Sequence, residues 1–465
     1  LSKQHHNVEA PRFVLATLGC KVNQAEVAAL AAELTARGWR QAVEGETLQT
    51  AVLMTCTVTA TASRQSRQMA RRLLKAHPEA RVVVTGCDAQ TAPETYRKEG
   101  AQVLGRAGLA GLAGLIAEGT PLPLAAGVTL PPPETGPFCP GAHPPDQSRA
   151  RGLLKVQDGC DAGCAYCIVP KARGKPRSLP LDEARTAWRR MGRAGAAEVV
   201  LTGVHLGCWG DDLAPPRALI DLLLALLAAH PGPRLRLSSL EVNEVGPGLL
   251  ALMAAEPRIC PHLHVPLQTG GDRLLQTMGR PYTAAQYASA LRAAEVALPG
   301  VCLGADVMVG LPGETETDFA ATREFIAGLP LAYLHVFPYS PRPGTPAAAM
   351  PDRVPGPVAR ARAFELRALS QAKRLAFYQA QVGFRREAVV EGRGLARTAN
   401  YCLARLENQT TPLPRSSLVE LEVLGLEEAV VGTILKTRVR CNAESRLVSS
   451  TRPLAISLAS ATTNS

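Results

Sequence analysis

Between residues 151 and 340, six largely apolar extended segments alternate with stretches of helical spacing: GLLKVQ (152–157), EVVLTGV (198–204), RLRLSSL (234–240), HLHVPL (262–267), CLGADVMVG (302–310) and AYLHVFPY (332–339). Strand followed by helix, repeated in this way, is the pattern of β/α units whose strands lie parallel. Six units fall short of a closed eightfold barrel, so the expected architecture is a partial (β/α)6 barrel. In such a barrel the loops at the carboxyl ends of the strands form the working face. Candidate chemistry is therefore sought first where these segments end.

The first of them runs directly into GCDAGCAYCIVPKARG, which sets Cys160, Cys164 and Cys167 at Cys-x3-Cys-x2-Cys spacing. Three thiolates on one loop can hold three corners of an iron–sulfur cluster and leave one iron open to a substrate or cosubstrate. A zinc site, or three merely buried thiols, is the plainer alternative. The chain carries 12 cysteines, and its N-terminus, LSKQHHNVEAPR, lacks the apolar core of a secretory signal. The expected compartment is the reducing cytoplasm, where cysteines serve metals, catalysis or burial rather than a disulfide framework. Because residue 1 is Leu and not Met, the completeness of the start stays open. Leu222 to Ala229, the longest apolar run near the middle, is far shorter than the ~20 residues a membrane-spanning helix needs.

At 465 residues the chain has room for about three domains. The first, 10–118, reads as parallel α/β: RFVLATL (12–18), TAVLMT (50–55) and RVVVT (81–85), with helices from Asn23 to Arg37 and up to Lys75. Cys20, Cys56 and Cys87 each stand just after one of these strands. Strand ends of a parallel sheet share one edge, so the three can converge into a second three-thiolate site. Gly19 and Gly86 would let the backbone approach a bulky group closely. Three independent buried cysteines are the alternative. Residues 119–148 hold nine prolines and are expected to be a linker without an element of its own. The barrel is placed at 149–380, ending in a helix-rich stretch after SPRPGTP (340–346). Residues 381–443 show β-type alternation in REAVVEG, LVELEVLG and VVGTILKTRVR, expected as a small closed β-barrel, and the Ser/Thr-rich 444–465 is expected to be disordered.

The Cys-x3-Cys-x2-Cys loop after the first strand of a six-unit barrel resembles the radical S-adenosylmethionine enzymes. The added triplet Cys20, Cys56 and Cys87, in TLGCKVNQAE, MTCTVT and VTGCDAQ, is similar to that of their methylthiotransferases. HVPLQTG (264–270), GADVMVGLPGETETDF (304–319) and HVFPYSPRPGTPA (335–347) resemble motifs of the same family. Lys21, Val22 and Asn23 resemble the branch that modifies N6-threonylcarbamoyladenosine at position 37 of tRNA, beside the anticodon, whereas other branches act on isopentenyladenosine or on a ribosomal protein. The resemblance implies two 4Fe-4S clusters, one at Cys160, Cys164 and Cys167 and an auxiliary one at Cys20, Cys56 and Cys87. It further implies S-adenosylmethionine as methyl donor and radical source, a flavodoxin-like or ferredoxin-like one-electron reductant, a sulfur source, and a C-terminal TRAM-like RNA-binding module. Met54 and Asp88 depart from the family's usual Asn and Tyr. A zinc-containing RNA-binding protein without catalysis is the rival of a different class.

Other residues carry weaker signals. Ser238, Ser239 and Glu241 end the third strand and Gln268 the fourth, placed to border the cofactor or to cap loops. Gly310, Leu311, Pro312, Gly313 and Glu314 end the fifth, at a cofactor edge or in a plain β-to-α turn. Lys and Arg total 51 against 40 Asp and Glu, a net charge of +11 that favours a polyanion. Arg64, Arg67 and Arg71 share a helix face with Arg72 and Lys75 nearby, Lys171, Arg173, Lys175 and Arg177 follow the cysteine loop, and Lys436, Arg438 and Arg440 alternate on a strand. With aromatics at only 4%, these stripes point to phosphate contacts with RNA, tRNA by the resemblance. Cys139, Cys208, Cys260, Cys302, Cys402 and Cys441 share neither spacing and are read as buried or incidental. His5 and His6 are read as solvated.

Overall fold

The computed structural model describes residues 10–120, 122, 129–145, 149–228, 232–407, 412–429 and 432–442. His5, His6 and 444–465 lie outside the described residues. Strands β1 (Arg12–Thr17), β2 (Arg40–Gln41), β3 (Thr50–Thr55), β4 (Arg81–Gly86) and β5 (Gln102–Val103) form a parallel sheet ordered β2-β1-β3-β4-β5. All six residues of β3 are buried, as a central strand covered on both faces requires. Val52, Met54 and Val83 pack with Phe13 and Leu34 on one face, and Ala51, Leu53 and Val84 with Ala70, Leu73 and Tyr96 on the other. Thr17 is in register with Met54 and Thr55 with Gly86, so the carboxyl ends of β1, β3 and β4 are level. The edge strands β2 and β5, at two residues each, are too short to show a period.

The middle of the chain supplies β6 (Gly141–His143), β7 (Gly152–Lys155), β8 (Gln157–Asp158), β9 (Arg177–Ser178), β10 (Glu198–Thr202), β11 (Arg234–Leu237), β12 (His262–His264), β13 (Cys302–Val309) and β14 (Tyr333–Pro338). Seven of them form the sheets β11-β10-β7-β6 and β12-β13-β14, joined where Leu235 bridges Ile259 and Cys260 N–H donates to Leu235 C=O at 2.8 Å, and β8 and β9 form a separate antiparallel pair. All six segments read from the sequence are strands, and β7, β10, β11, β12, β13 and β14 make an open, partial barrel of parallel strands. Leu154, Val199, Leu201, Leu235, Leu263, Val265, Leu303 and Val307 face the surrounding helices in one apolar core.

One correction concerns 119–148, expected to lack any element. Its β6 pairs antiparallel with β7 and lies against the helix Lys21–Ala36. Prolines 140 and 144 on either side hide so short a strand from a reading of composition, and Gly141 matters because a Cβ there would lie 2.9 Å from Ala25 Cβ. Strands β15 (Arg385–Gly392), β16 (Leu395–Thr398), β17 (Leu403–Glu407), β18 (Leu418–Ala429) and β19 (Gly432–Asn442) close into a small barrel ordered β15-β16-β17-β19-β18. It docks at the amino ends of the larger barrel's strands: Arg236 Nη2 donates to Thr398 C=O at 3.2 Å, Asn400 Nδ2 to Gly300 C=O at 3.2 Å and Ser416 Oγ to Gly195 C=O at 3.3 Å. Among the described residues no helix is long and apolar enough to cross a membrane.

Candidate active site

Cys20 caps the amino end of the helix Lys21–Ala36, Cys56 follows β3, and Cys87 opens the short helix Cys87–Thr91 after β4. Level strand ends therefore bring all three to one edge of the sheet, with Cys20 exposed and the other two buried. Gly19, at φ +100°, lies so close to Cys56 that a Cβ would stand 2.8 Å from its Sγ. Gly86, at φ +96°, has Thr55 C=O within 2.6 Å of the same imagined atom. Asn23 ties the loops together, its Nδ2 donating to Leu18 C=O at 2.7 Å and Thr55 C=O at 3.1 Å. Burial pushes the Cys56 thiol up to about 11, as it does the buried thiols of Cys139 and Cys260. Asp88, a departure from the family pattern, is satisfied by Tyr96 Oη at 2.6 Å and by Ser63 Oγ, and Arg342 lies beyond at 3.8 Å. Met54 is an ordinary core residue of β3.

Cys160, Cys164 and Cys167 follow β8 on one loop. Cys160 N–H donates to Gly174 C=O at 2.9 Å, Ala165 N–H to Met278 C=O at 2.9 Å and Cys167 N–H to Cys164 C=O at 3.1 Å, which fixes the loop at both ends. Gly279 passes so close that a Cβ would lie 2.6 Å from Gly163 C=O. Burial pushes the Cys167 thiol up to about 12. Arg280, unnoticed in the sequence, donates to Cys164 Sγ at 3.3 Å and pairs with Glu241. His205 was also missed, and Cys208, read as buried or incidental, is half-buried beside it: His205 Nδ1 stands 3.7 Å from Cys160 Sγ and 3.2 Å from Cys208 Sγ, while its Nε2 pairs with Glu244 at 2.6 Å. No spacing rule links positions 160, 205 and 244, because strand order alone brings them together. Both triplets offer three soft sulfur donors in close-packed loops that glycines keep free of side chains. That donor set fits an iron–sulfur cluster better than a hard cation.

A buried ionic network locks the two triplets into one body. Glu26 accepts from Arg106 at 2.6 Å, Lys155 at 2.6 Å and Arg173 at 3.3 Å, and Asp158 accepts from Lys155 at 2.7 Å, Arg106 at 2.9 Å and Arg173 at 2.6 Å. Burial acts to raise the Glu26 carboxyl, yet Arg106, Lys155 and Arg173 hold it at about 2. Arg173 also donates to Asn23 Oδ1, so the helix after Cys167 grips the helix that begins beside Cys20. This corrects part of the basic stripe expected at 171–177, of which Lys171 and Lys175 are exposed. Arg173 is 2% exposed inside the network, and Arg177 donates to Gly136 C=O at 2.7 Å. The buried carboxylates at Glu26 and Asp158 had claimed a cation that looked available to RNA.

The inner face of the large barrel is polar. Tyr333 Oη lies 2.9 Å from His262 Nε2 and 3.0 Å from His264 Nδ1, and Asp306 Oδ1 lies 3.0 Å from His264 Nε2 and 3.2 Å from His335 Nδ1. Burial acts to raise the Asp306 carboxyl, but hydrogen bonds from the two histidines hold it well below the carboxylate range. At the floor, Tyr401 enters from the small barrel at φ +71°, its ring 4.2 Å from that of His262 and 5.1 Å from the Arg236 guanidinium. Burial acts to raise the Tyr401 hydroxyl, but the positive charges of Lys21, Arg151, Arg397 and Arg236 lower it. Lys21 is exposed, and desolvation by the surrounding protein lowers its pKa.

The remaining candidates are placed as follows. Ser239 is exposed and Ser238 buried. Gln268 sits at φ +71°, its backbone bridging Asp306 and Met308. Gly310 N–H donates to Glu314 Oε2 at 2.6 Å, which also accepts from Arg362 at 2.7 Å, and Gly313 C=O accepts from Arg273 at 2.7 Å, the contacts of a tight turn. Arg64 is exposed and Arg67 half-buried on the helix Ala60–Ala76, while Arg71 pairs with Glu99 at 2.7 Å. Lys436 pairs with Glu407 at 3.3 Å, and exposed Arg438 is flanked in register by Glu407 and Glu422. The side chains of Arg440 and Cys441 lie outside the described residues. Cys139, Cys260, Cys302 and Cys402 are buried.

Residues 154–326 match the Radical SAM superfamily and 12–105 the uncharacterized protein family UPF0004. The chain is 31% identical, over 91% of its length and 97% of the relative's, to the threonylcarbamoyladenosine tRNA methylthiotransferase MtaB of Rickettsia prowazekii. It is 36% identical to the protein of the same name from Bacillus subtilis, over 76% of this chain and 79% of that one. Similarity extends to a tRNA-2-methylthio-N(6)-dimethylallyladenosine synthase of Sorangium cellulosum (35%, covering 82% of each) and a ribosomal protein uS12 methylthiotransferase RimO of Anaeromyxobacter sp. (33%, covering 87% and 86%). Among solved structures, the radical S-adenosylmethionine methyltransferase TsrM of Kitasatospora setae shares the fold at a TM-score of 0.54 and 18% identity, over 73% of this chain and 77% of that one. With near full-length identity above 30% and two three-cysteine sites in one molecule, the chain belongs to the radical S-adenosylmethionine methylthiotransferase family.

Proposed function

We propose that this methylthiotransferase converts N6-threonylcarbamoyladenosine at position 37 of tRNA to its 2-methylthio form. The observation that carries the substrate is the near full-length similarity to relatives named for that nucleoside, and the Lys21-Val22-Asn23 run supports it. The family carries two 4Fe-4S clusters and uses S-adenosylmethionine, which together supply a hydrogen-abstracting radical, a methyl group and sulfur.

In this reading Cys160, Cys164 and Cys167 hold the radical cluster and Cys20, Cys56 and Cys87 the auxiliary one. Arg280 steadies Cys164 and orients Glu241. Asn23 and Arg173 keep the two ligand sets at fixed separation, because both belong to the buried interface between them. Ser239, Glu241, Gln268, Gly310 and Gly313 border the cofactor side of the barrel mouth. The target base is splayed out of the anticodon loop to enter the barrel. Arg64, Arg67 and Arg71 meet tRNA phosphates, as do Lys436, Arg438 and Arg440 of the small barrel, whose 381–443 segment acts as the RNA grip. A flavodoxin-like or ferredoxin-like electron donor, a sulfur source and a cytoplasmic setting complete the proposal.

Nucleoside mass spectrometry decides the substrate. Anaerobically reconstituted protein, given reductant, S-adenosylmethionine and sulfide, is expected to methylthiolate tRNA bearing threonylcarbamoyladenosine. Product on isopentenyladenosine or on a ribosomal protein instead would move the chain to another branch, and stoichiometric zinc with no product would leave only an RNA-binding protein.

A further inference from the structure

The mouth of the large barrel and the small barrel docked at its floor stand at opposite ends of the strands. The helix Gly356–Gln379 joins the two ends: at 24 residues and about 1.5 Å of rise each, it is about 36 Å long. Near its start, a Cβ on Gly310 would lie 2.7 Å from Ala359 Cβ, and Arg362 pairs with Glu314 at 2.7 Å, both beside the carboxyl end of β13. Further along, Ser370 Oγ accepts from Leu334 N–H at 2.8 Å near the amino end of β14, and at its end Tyr378 Oη accepts from Leu403 N–H of the small barrel at 3.0 Å. Its inner side, with Ala363 and Leu366, joins the large apolar core. On its outer side Arg360, Phe364, Arg367, Gln371 and Arg374 follow at alternating steps of four and three residues and so share one stripe. All five are exposed, Phe364 at 71%. Among the described residues Arg360 and Arg374 have no hydrogen bond or ion pair, and Arg367 gives one donor to Val336 C=O at 3.2 Å. The helix's one acidic residue, Glu365, is paired with Arg323 at 2.9 Å. The stripe therefore keeps its charge, whereas Arg71 and Lys436 are each paired with a glutamate.

We propose that this stripe is a track for the tRNA backbone between the barrel mouth and the small barrel, with Arg360, Arg367 and Arg374 meeting phosphates and Phe364 stacking on an unpaired base. The track rests on the tRNA reading given above and adds to it a surface on the barrel's own flank. A base splayed into the mouth and a grip at the floor require the RNA between them to cross the outside of the barrel. Arginine suits phosphate because its planar fork can meet two oxygens at once, and an exposed ring accepts any base because every base has a flat face. An acidic electron-donor protein would match the charge, but it has no need of a surface that runs from the mouth to the floor.

The test uses the full-length, anaerobically reconstituted protein and a tRNA bearing threonylcarbamoyladenosine, with binding read by fluorescence anisotropy across a salt series. The triple variant Arg360→Gln, Arg367→Gln, Arg374→Gln is expected to flatten the slope of log affinity against log salt by about 2 to 3, from three contacts at about 0.7 to 0.9 each. The same three positions changed to Lys should recover most of that slope. Phe364→Ala should weaken binding about tenfold at every salt concentration and leave the slope unchanged. Iron content, and 5′-deoxyadenosine release with dithionite as reductant, should match the wild type in every variant. Wild-type affinity and slope in the triple glutamine variant would overturn the track and leave the tRNA reading intact. If that variant also lost 5′-deoxyadenosine release with a flavodoxin-like donor alone, the stripe would belong to the donor instead. A wild-type protein that fails to bind tRNA would overturn the tRNA reading and the track with it.

Discussion

The two cysteine triplets reach similar ends by opposite routes. Cys160, Cys164 and Cys167 lie on one loop, fixed by backbone hydrogen bonds at both ends, so their geometry is mostly local. Cys20, Cys56 and Cys87 come from three strand ends, and their geometry is a property of sheet register and of two glycines at positive φ. A local site tolerates distant change. A site made by register depends on the whole domain, and here on the buried network that fastens this domain to the barrel.

Replacing either triplet with alanines gives the largest expected contrast. Loss of Cys160, Cys164 and Cys167 should abolish reductive cleavage of S-adenosylmethionine and all product. Loss of Cys20, Cys56 and Cys87 should preserve cleavage, followed as 5′-deoxyadenosine release, and eliminate methylthiolated nucleoside. Normal product from the second variant would remove the strand-end site from the chemistry.

Gly19→Val or Gly86→Val probes the difference more finely. A side chain at either position meets Cys56 or the Thr55 backbone below 3.0 Å, so each variant should lose about half its iron while cleavage at the loop site persists. Equal iron in Gly19→Val and wild type would show that the strand ends tolerate looser packing than their register implies.

The loop triplet was legible because its spacing is written in consecutive sequence. The strand-end triplet was legible because each cysteine sits at an equivalent point of a repeated unit. Arg280, His205, Cys208 and the role of Arg173 were not, since each meets its partner through folding and no local pattern records the pairing. The large barrel's six strands stood out by their apolar runs, while β6 hid among prolines, and β16 and β17, four and five residues long, lie outside the three segments whose alternation marked the small barrel.

A smaller effect tests the network. Glu26→Ala leaves three buried cations with a single shared carboxylate and should destabilise the protein by about 3–5 kcal/mol, seen as a lower Tm. Because the Glu26 carboxyl is held at about 2 against an ordinary 4.5, its stabilisation is complete above pH 4.5 and is lost as pH falls through the folded value. The wild-type Tm should therefore drop steeply between those limits, and the drop should be shallower in Glu26→Gln. Parallel curves would assign the acid sensitivity elsewhere.

The smallest expected change concerns RNA. Each phosphate contact contributes about −0.7 to −0.9 to the slope of log affinity against log salt. Lys436→Gln with Arg438→Gln should flatten the slope for tRNA by no more than two such contacts, because Glu407 and Glu422 already offset part of the charge. An unchanged slope would take this face of the small barrel out of the tRNA interface.

Iron and acid-labile sulfide, measured after anaerobic reconstitution of the wild-type protein and both triple-alanine variants, test the central claim most directly. Two clusters in the wild type and one in each variant, with distinct spectra for the two survivors, is the expected result. Wild-type iron in either variant, or zinc in place of iron at either site, would contradict it.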